Sequence, residues 1–307
     1  MNERSPYQQF TDILNSSEFA GQYEIREDVP LKTLTSFRVG GPAKSVIAPF
    51  CCEAFVFAVN LARSSKLKYY LLGNGTNVLA SDDGYDGIIF LTTSMKRTAF
   101  DGTTVTSECG ASLTALSAAA GNGGLTGLEF AYGIPGTVGG GVFMNAGAYG
   151  GELKDVVTSV TALFPDGRVR TLGADECDFG YRHSAFSENG AVVLSCTIEL
   201  KVGNKDEIHS LMENLLGRRK SKQPLEYPSA GSTFKRYPGR YTGQMIEQHG
   251  LKGFSVGGAQ VSDKHAGFVI NTGNATSQDI HALIDHIKAV IRQKEGIEIE
   301  PEVRFLD

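Results

Sequence analysis

Two stretches of this sequence, GNGTNVLASDDG at residues 73–84 and GIPGTVGGGVFMNAGAYGG at 133–151, concentrate glycine where an anion could be bound. The second holds eight glycines, one proline and no charged side chain. Glycine loses more conformational freedom on folding than any other residue and is poor inside helices and strands. Without Cβ atoms, however, a loop can bring successive backbone N–H groups close to a ligand and shape a concave anion site. The bland alternative is a set of tight turns in a β-rich domain. Neither stretch follows the common phosphate signatures. There is no GxxxxGK followed by Ser or Thr, and Gly73 and Gly75 run on into Asn77 and Val78 instead of completing GxGxxG.

Other side chains with chemical potential stand singly. Arg182, in GYRHSAF, is permanently charged and can meet a carboxylate with two donors; alone it equally fits a surface loop. Ser232, in AGSTF, reads on its own as a turn residue. Glu300 and Glu302, two apart in IEPEVRF, share one face if the segment is a strand. GRRKSKQP at 217–224 carries Arg218, Arg219, Lys220 and Lys222, either an anion contact or a basic helix end that suits the helix dipole. With 29 basic against 34 acidic residues, the chain has no overall attraction to nucleic acid or an anionic membrane. Any anionic ligand must be held by local groups.

The elements that position these residues fall into blocks. The first ~30 residues are polar with a weak helical pattern. A strand–helix alternation follows: KSVIAPF at 44–50, a helix from Cys52, then YYLLG at 69–73 and GIIFLT at 87–92. The middle is richer in β-branched residues, with Pro165-Asp166-Gly167 turning a hairpin and AVVLSCTIELKV at 191–202 another strand. ASLTALSAAAGNGG reads as a helix with a glycine C-cap. After a boundary near Gly203-Asn204, one helix should bury Ile208, Leu211, Met212, Leu215 and Leu216. A strand at 267–273 precedes a last helix with Ile280, Leu283, Ile284, Ile287, Val290 and Ile291 on one stripe, Thr276 and Asp279 at its start and Gly296 at its end. Five cysteines without CxxC spacing give no disulfide framework or zinc site, so no metal is expected. No signal peptide or membrane span is legible, which makes a cytoplasmic protein the expectation.

Six motifs occur in a fixed order: LLGNGTNVL, GLEFAYGIPGTVGGGVFMNAGAYGG, FGYRHSAF, PSAGSTFKR, LKGFSVGGAQVSDKHAGFVIN and IEPEVRFL. Together they resemble the UDP-N-acetylenolpyruvoylglucosamine reductase family, from LTSFRVGGPA at 34–43 to the C-terminal residues. The resemblance implies an α+β chain: a vanillyl-alcohol-oxidase (PCMH-type) FAD-binding fold of two α/β subdomains, then a smaller C-terminal α+β substrate-binding domain. The corresponding boundaries are an extension over 1–31, an FAD domain over 32–203 split near 100, a substrate domain over 204–301, and a terminal segment over 302–307. FAD would be held by Gly73, Gly75, Thr76 and Asn77 and by Ile134, Pro135, Gly136, Gly139, Gly140, Asn145, Ala146 and Gly147. Neither glycine-rich loop contains the histidine that binds flavin covalently in sibling oxidases, so non-covalent FAD is expected.

The family reaction reduces the enolpyruvyl ether of UDP-N-acetylglucosamine enolpyruvate, with NADPH as co-substrate. It needs a cation at the substrate carboxylate, a proton donor at the adjacent carbon and a polar group for the enol-like species. The resemblance gives these roles to Arg182, Ser232 and Glu302, with Lys235 a neighbour that could activate the serine. Lys222, Lys235, Arg236 and His265 are the candidate substrate contacts. FKRYP stands where some relatives have FKNP, and the short spacing from Lys222 to Ser232 matches members without a substrate-capping tyrosine loop. A monomer is expected, since no exposed coiled-coil pattern is present. The competing readings are a sugar or alcohol oxidase on the same flavin fold and a non-catalytic nucleotide-binding protein.

Overall fold

The computed structural model describes residues 5–307, and these divide into two compact units, each built from separated stretches of chain. The first takes the chain as far as Glu27, Ser45–Gly73 and Gly87–Gly217; the second takes Asp28–Lys44, Asn74–Asp86 and Arg218–Asp307. These units follow other lines than the linear boundaries at 31, 203 and 301. Residues 1–4 of the expected N-terminal extension lie outside the described residues.

Residues 5–27 of that extension are integral to the first unit, while 28–31 belong to the second. Helix α1 (Pro6–Ser16) begins with a capping box, in which Ser5 Oγ accepts from Gln8 N at 3.2 Å and Gln8 Oε1 accepts from Ser5 N at 3.0 Å. It buries Phe10 and Leu14 in the first core. The strand Tyr23–Pro30, unmarked by the sequence pattern, edges a four-stranded sheet whose order continues Pro42–Pro49, Tyr85–Leu91, Tyr69–Leu72. Helix α2 (Cys52–Ser64) buries Ala54, Phe55, Ala58, Val59 and Ala62.

The β-rich middle forms a five-stranded antiparallel sheet, ordered Val169–Gly173, Val157–Leu163, Val192–Glu199, Thr104–Glu108, Thr98–Asp101. One core joins it to the earlier elements, and Arg63 of α2 reaches across to the carbonyls of Phe164 (2.6 Å) and Gly190 (3.0 Å). Helix α3 (Leu113–Asn122) ends at Gly123, with Gly124 at φ +74°, as its glycines led one to expect. Within the 133–151 stretch, Val138–Met144 is a short helix, α4, where loop was expected. Helix α5 (Lys205–Lys222) buries Ile208, Met212 and Leu215, while Leu211 is 47% exposed. The buried stripe is narrower than expected because α5 lies on Gly121 of α3, where a Cβ would stand 3.0 Å from Met212 Sδ and 3.2 Å from Ile208 Cγ2.

The second unit has its own core, from Phe37, Val39 and Leu79 to Ile280, Leu283, Ile284, Ile287 and Ile291. Its elements are helix α6 (Thr242–Gln248), the antiparallel sheet Ser255–Val256, Ala259–Val261, Val269–Asn271, and helix α7 (Ser277–Glu295). The strand Val78–Ala80 pairs in parallel with Arg304–Leu306, which ties the 74–86 stretch to the C-terminal part of the chain. Helix α7 has the expected caps, a Thr276–Asp279 box and Gly296 at φ +69°.

A further cap of α7 comes from the first glycine stretch. Asp82 accepts from Ser277 N at 2.9 Å and from Gln278 N at 3.1 Å, one amide to each carboxylate oxygen. Two otherwise orphaned helix donors and a favourable dipole contact depend on this side chain. Asp82→Ala is expected to lower unfolding free energy by about 1–2 kcal/mol, measured by urea denaturation, and Asp82→Asn to lose less. No helix among the described residues is long and apolar enough to cross a membrane.

Candidate active site

In the first unit the site residues gather around α4. Thr137 caps the helix, its Oγ1 accepting from Gly140 N at 3.3 Å, and α4 closes on Asn145 in the left-handed region at φ +42°. Three successive glycines disfavour a helix locally; tertiary packing accounts for two of them. A Cβ on Gly139 would lie 2.8 Å from Cys109 Cβ, and one on Gly141 would lie 2.8 Å from both Leu113 Cδ1 and Leu153 Cδ1. Gly140 instead is exposed, and a Cβ there would meet nothing nearer than Thr137 Oγ1 at 3.5 Å. Gly73 abuts the same cap, since its Cβ would sit 2.4 Å from Thr137 Oγ1. The Gly136 carbonyl accepts from Leu113 N at 3.0 Å, while its N–H has no acceptor among the described residues. An unclaimed amide donor beside positions without side chains is what an anionic cofactor needs.

The C-terminal end of α4 holds the turn that carries Arg182. Gly180 and His183 exchange backbone hydrogen bonds of 3.0 and 3.3 Å, leaving Tyr181 and Arg182 as the two central residues. Arg182 has φ +52°, a conformation that turns normally give to Gly or Asn. Its Nη2 donates to the carbonyl of Gly147 at 3.3 Å. Asn145 anchors this turn. It is fully buried, its Nδ2 donating to Gly180 O (2.9 Å) and Glu152 Oε2 (3.0 Å) and its Oδ1 accepting from Lys154 N (2.9 Å). Expected as a cofactor contact, the Asn145 side chain is instead committed to the protein, because those three bonds exhaust its directed donors and its ready acceptor. Ser184, also buried, donates to Phe143 O at 2.8 Å and ties the turn to α4 a second time.

In the second unit Gly75 adopts φ +61°, and a Cβ there would lie 2.1 Å from Leu34 O, so only glycine fits. Its carbonyl accepts from Ser36 N (3.0 Å) and Ser36 Oγ (3.3 Å), and the same hydroxyl approaches Ser229 O at 2.6 Å. Asn77 donates to Glu302 O at 3.1 Å, and Arg304 N donates to Asn77 O at 3.0 Å. Ser232 is exposed at the start of a segment stitched on both sides: Thr233 N donates to Gly267 O (2.8 Å), while Glu302 N donates to Thr233 O (2.8 Å). Lys235 N continues the second side to Glu300 O at 2.9 Å. The unit thus brings Gly75, Asn77, Ser232, Lys235, His265 and Glu302 onto adjoining backbone; Arg182 belongs to the first unit.

Two expectations change here. Glu300 and Glu302 do not share a strand; a single bridge, Phe234 to Pro301, lies between them, and the terminal strand begins at Arg304. The Lys235 ammonium, expected to favour the Ser232 alkoxide, pairs with Glu300 at 2.9 Å and holds that carboxyl below its usual range. Arg236 lies over the Tyr241 ring at 5.0 Å, and Lys222 is an exposed residue at the end of α5. His265 is half-buried. Residues that the sequence reading passed over are the supports: Thr137, Ser36, Glu152 and Thr233. Only Thr137 carried a local signal, as a helix N-cap residue three before Gly140.

Comparison with known proteins gives this arrangement a context. A family model described as an FAD binding domain matches residues 43–173, and one described as the UDP-N-acetylenolpyruvoylglucosamine reductase C-terminal domain matches residues 223–306. The UDP-N-acetylenolpyruvoylglucosamine reductase of Caldanaerobacter subterraneus subsp. tengcongensis is 47% identical over 277 residues, which is 90% of this chain and 92% of the relative. That of Clostridium perfringens strain SM101 is 42% identical over 300 residues, 98% of each chain. The crystal structure of UDP-N-acetylenolpyruvylglucosamine reductase from Thermus caldophilus superposes with a TM-score of 0.79 at 33% identity, covering 93% of this chain and 99% of that one. The fold is therefore the expected one: a PCMH-type FAD-binding fold with a smaller C-terminal α+β domain.

Proposed function

The chain belongs to the UDP-N-acetylenolpyruvoylglucosamine reductase family, and from that premise we propose that it reduces UDP-N-acetylglucosamine enolpyruvate with NADPH. The product would be UDP-N-acetylmuramate, a precursor for peptidoglycan, formed in the cytoplasm by a monomeric flavoenzyme. FAD would rest non-covalently on Gly73, Gly75, Thr76 and Asn77 and on Ile134, Pro135, Gly136, Gly139, Gly140, Ala146 and Gly147, with Asn145 shaping the second loop from within. When bound, it carries hydride from NADPH to the terminal vinyl carbon of the substrate.

The protein's own work is to hold the carboxylate and place the proton. Arg182 meets the enolpyruvyl carboxylate, where its planar fork can donate two parallel bonds as charge develops. The Ser232 hydroxyl gives its proton to the carbon that bears the carboxylate, and Glu302 holds the enol-like species in the same step. Lys222 and Arg236 would contact the diphosphate-bearing part of the substrate. The observation that carries this reading is the backbone stitching of the Ser232 segment to the Glu302 segment, with 2.8 and 2.9 Å bonds on either side of their bridge. A proton donor and its partner need such fixed geometry.

The test is an anaerobic absorbance titration of the purified protein. NADPH should bleach the flavin band, and UDP-N-acetylglucosamine enolpyruvate should restore it without oxygen. Recovery only on admitting air would identify an oxidase on this fold, and a protein that binds no added FAD would sink the proposal.

A further inference from the structure

The segment carrying Ser232 is held through a run of hydrogen bonds that ends on an imidazole. Glu302 N donates to Thr233 O, Thr233 N donates to Gly267 O, and Gly267 N donates to His265 Nδ1 at 3.1 Å. Val269 N adds a bond to Thr233 Oγ1 at 3.0 Å. The amide that donates to Gly267 is the one formed with the Ser232 carbonyl, so the Gly267 backbone, its N–H on His265 and its carbonyl in the next peptide unit, sets the plane that follows the serine.

The ring itself is closely fitted. Phe268 packs edge-on against it at 5.0 Å and donates its N–H to His265 O at 3.0 Å, and Ser262 Oγ accepts from Lys264 N (3.2 Å) and His265 N (3.3 Å). Cβ atoms on Gly267 and Gly243 would stand 3.0 and 3.3 Å from His265 Cε1, so two glycines make room for the imidazole in this orientation. Nδ1 can accept the Gly267 N–H only in the neutral ring with its proton on Nε2. Burial, opposed by a hydrogen bond to the residue's own backbone and by Glu247 and reinforced by Lys252 and Lys222, holds the ring below the ordinary 6.5 and therefore neutral near pH 7.

We propose that His265 is a positioning residue for the proton-donating segment, its Nδ1 fixing the Gly267 backbone at its N–H and through that residue's carbonyl Thr233 and Ser232. This role replaces the substrate contact through Nε2 expected from the sequence, and it rests on the reading of Ser232 as the proton donor. The two nitrogens can be separated by substitution. Asparagine keeps an acceptor near Nδ1, and glutamine keeps a donor near Nε2.

The experiment compares His265→Asn and His265→Gln in the FAD-loaded protein, with Ser232→Ala alongside. In His265→Gln, recovery of the flavin band on adding the enol ether should slow on the order of 10–100-fold, the scale expected for a misplaced reacting group. Bleaching by NADPH should be unchanged. His265→Asn should recover within about threefold of the parent, and the acid limb of the parental rate profile, below pH 6.5, should vanish in it. Nitrogen-15 spectra should show the Nε2–H tautomer, and the Gly267 and Thr233 amides should be protected from exchange in the parent and His265→Asn but not in His265→Gln. The reverse ranking, a slow asparagine and a parental glutamine variant, would overturn the proposal in favour of contact through Nε2. If Ser232→Ala recovered at the parental rate, the proton-donor reading would fall, and amide exchange would still decide whether His265 holds the segment.

Discussion

Ser232→Ala is expected to leave the bleaching of the flavin band by NADPH at the parental rate and to slow its recovery by the enol ether by about 10³-fold. That factor is the middle of the range for removing a positioned general acid, and it corresponds to about 4 kcal/mol of transition-state stabilisation. The split between the two half-reactions is what makes the experiment decisive. A serine that merely shapes the loop would disturb both, or neither. Ser232 is exposed and adjoins backbone already satisfied by Gly267 and Glu302, so removing its hydroxyl should leave the thermal midpoint nearly unchanged. Removing Ser232 and Glu302 together should cost little more than the worse single change, because a donor and its partner act as one unit. Additive losses would separate their roles, and an unimpaired Ser232→Ala would remove the serine from the chemistry.

The carboxylate next to this segment illustrates what local sequence can and cannot reveal. The position just before VRF favours Glu302 over Glu300, but the fate of Lys235 depended on a contact 65 residues along the chain, where its ammonium meets Glu300. No pattern in FKRYP announces that partner. The acid-activating group beside Ser232 is accordingly sought among backbone donors and Glu302 rather than at Lys235.

Elements with a long regular period were readable. The stripe of α7 and its two caps follow from Thr276, Asp279, Gly296 and the isoleucines between them. Helix α4 was not readable, since its run of glycines opposes helix locally and is explained only by Cys109, Leu113 and Leu153 closing on it. The split of the chain was hidden for a similar reason. Val78–Ala80 and Arg304–Leu306 are three-residue strands, too short to show a period, yet their pairing assigns the 74–86 stretch to the second unit. The glycine motifs were also only half understood from sequence. Gly139, Gly141 and Gly75 are there because neighbouring atoms leave no room for a Cβ, whereas Gly140 and Gly150 present open faces.

Arg182→Gly is expected to cost on the order of 10²–10³-fold in kcat/KM while leaving stability within about 1 kcal/mol of the parent. The two halves of that expectation come from one observation. At φ +52° arginine sits where its Cβ is unfavourable and glycine is at ease, so the fold itself would prefer glycine in this turn. Strain retained in a turn braced by Asn145 and Ser184 needs a functional reason, and a fixed guanidinium beside Gly147 supplies one. Arg182→Lys tests the fork apart from the charge. It keeps the positive group and the awkward backbone but loses the paired donors, and should fall between the parent and the glycine variant. The loss should appear chiefly in recovery of the flavin band by the enol ether, since NADPH offers no enolpyruvyl carboxylate. A glycine variant that kept parental turnover would show the strained arginine to be structural, and the carboxylate would then need a different cation.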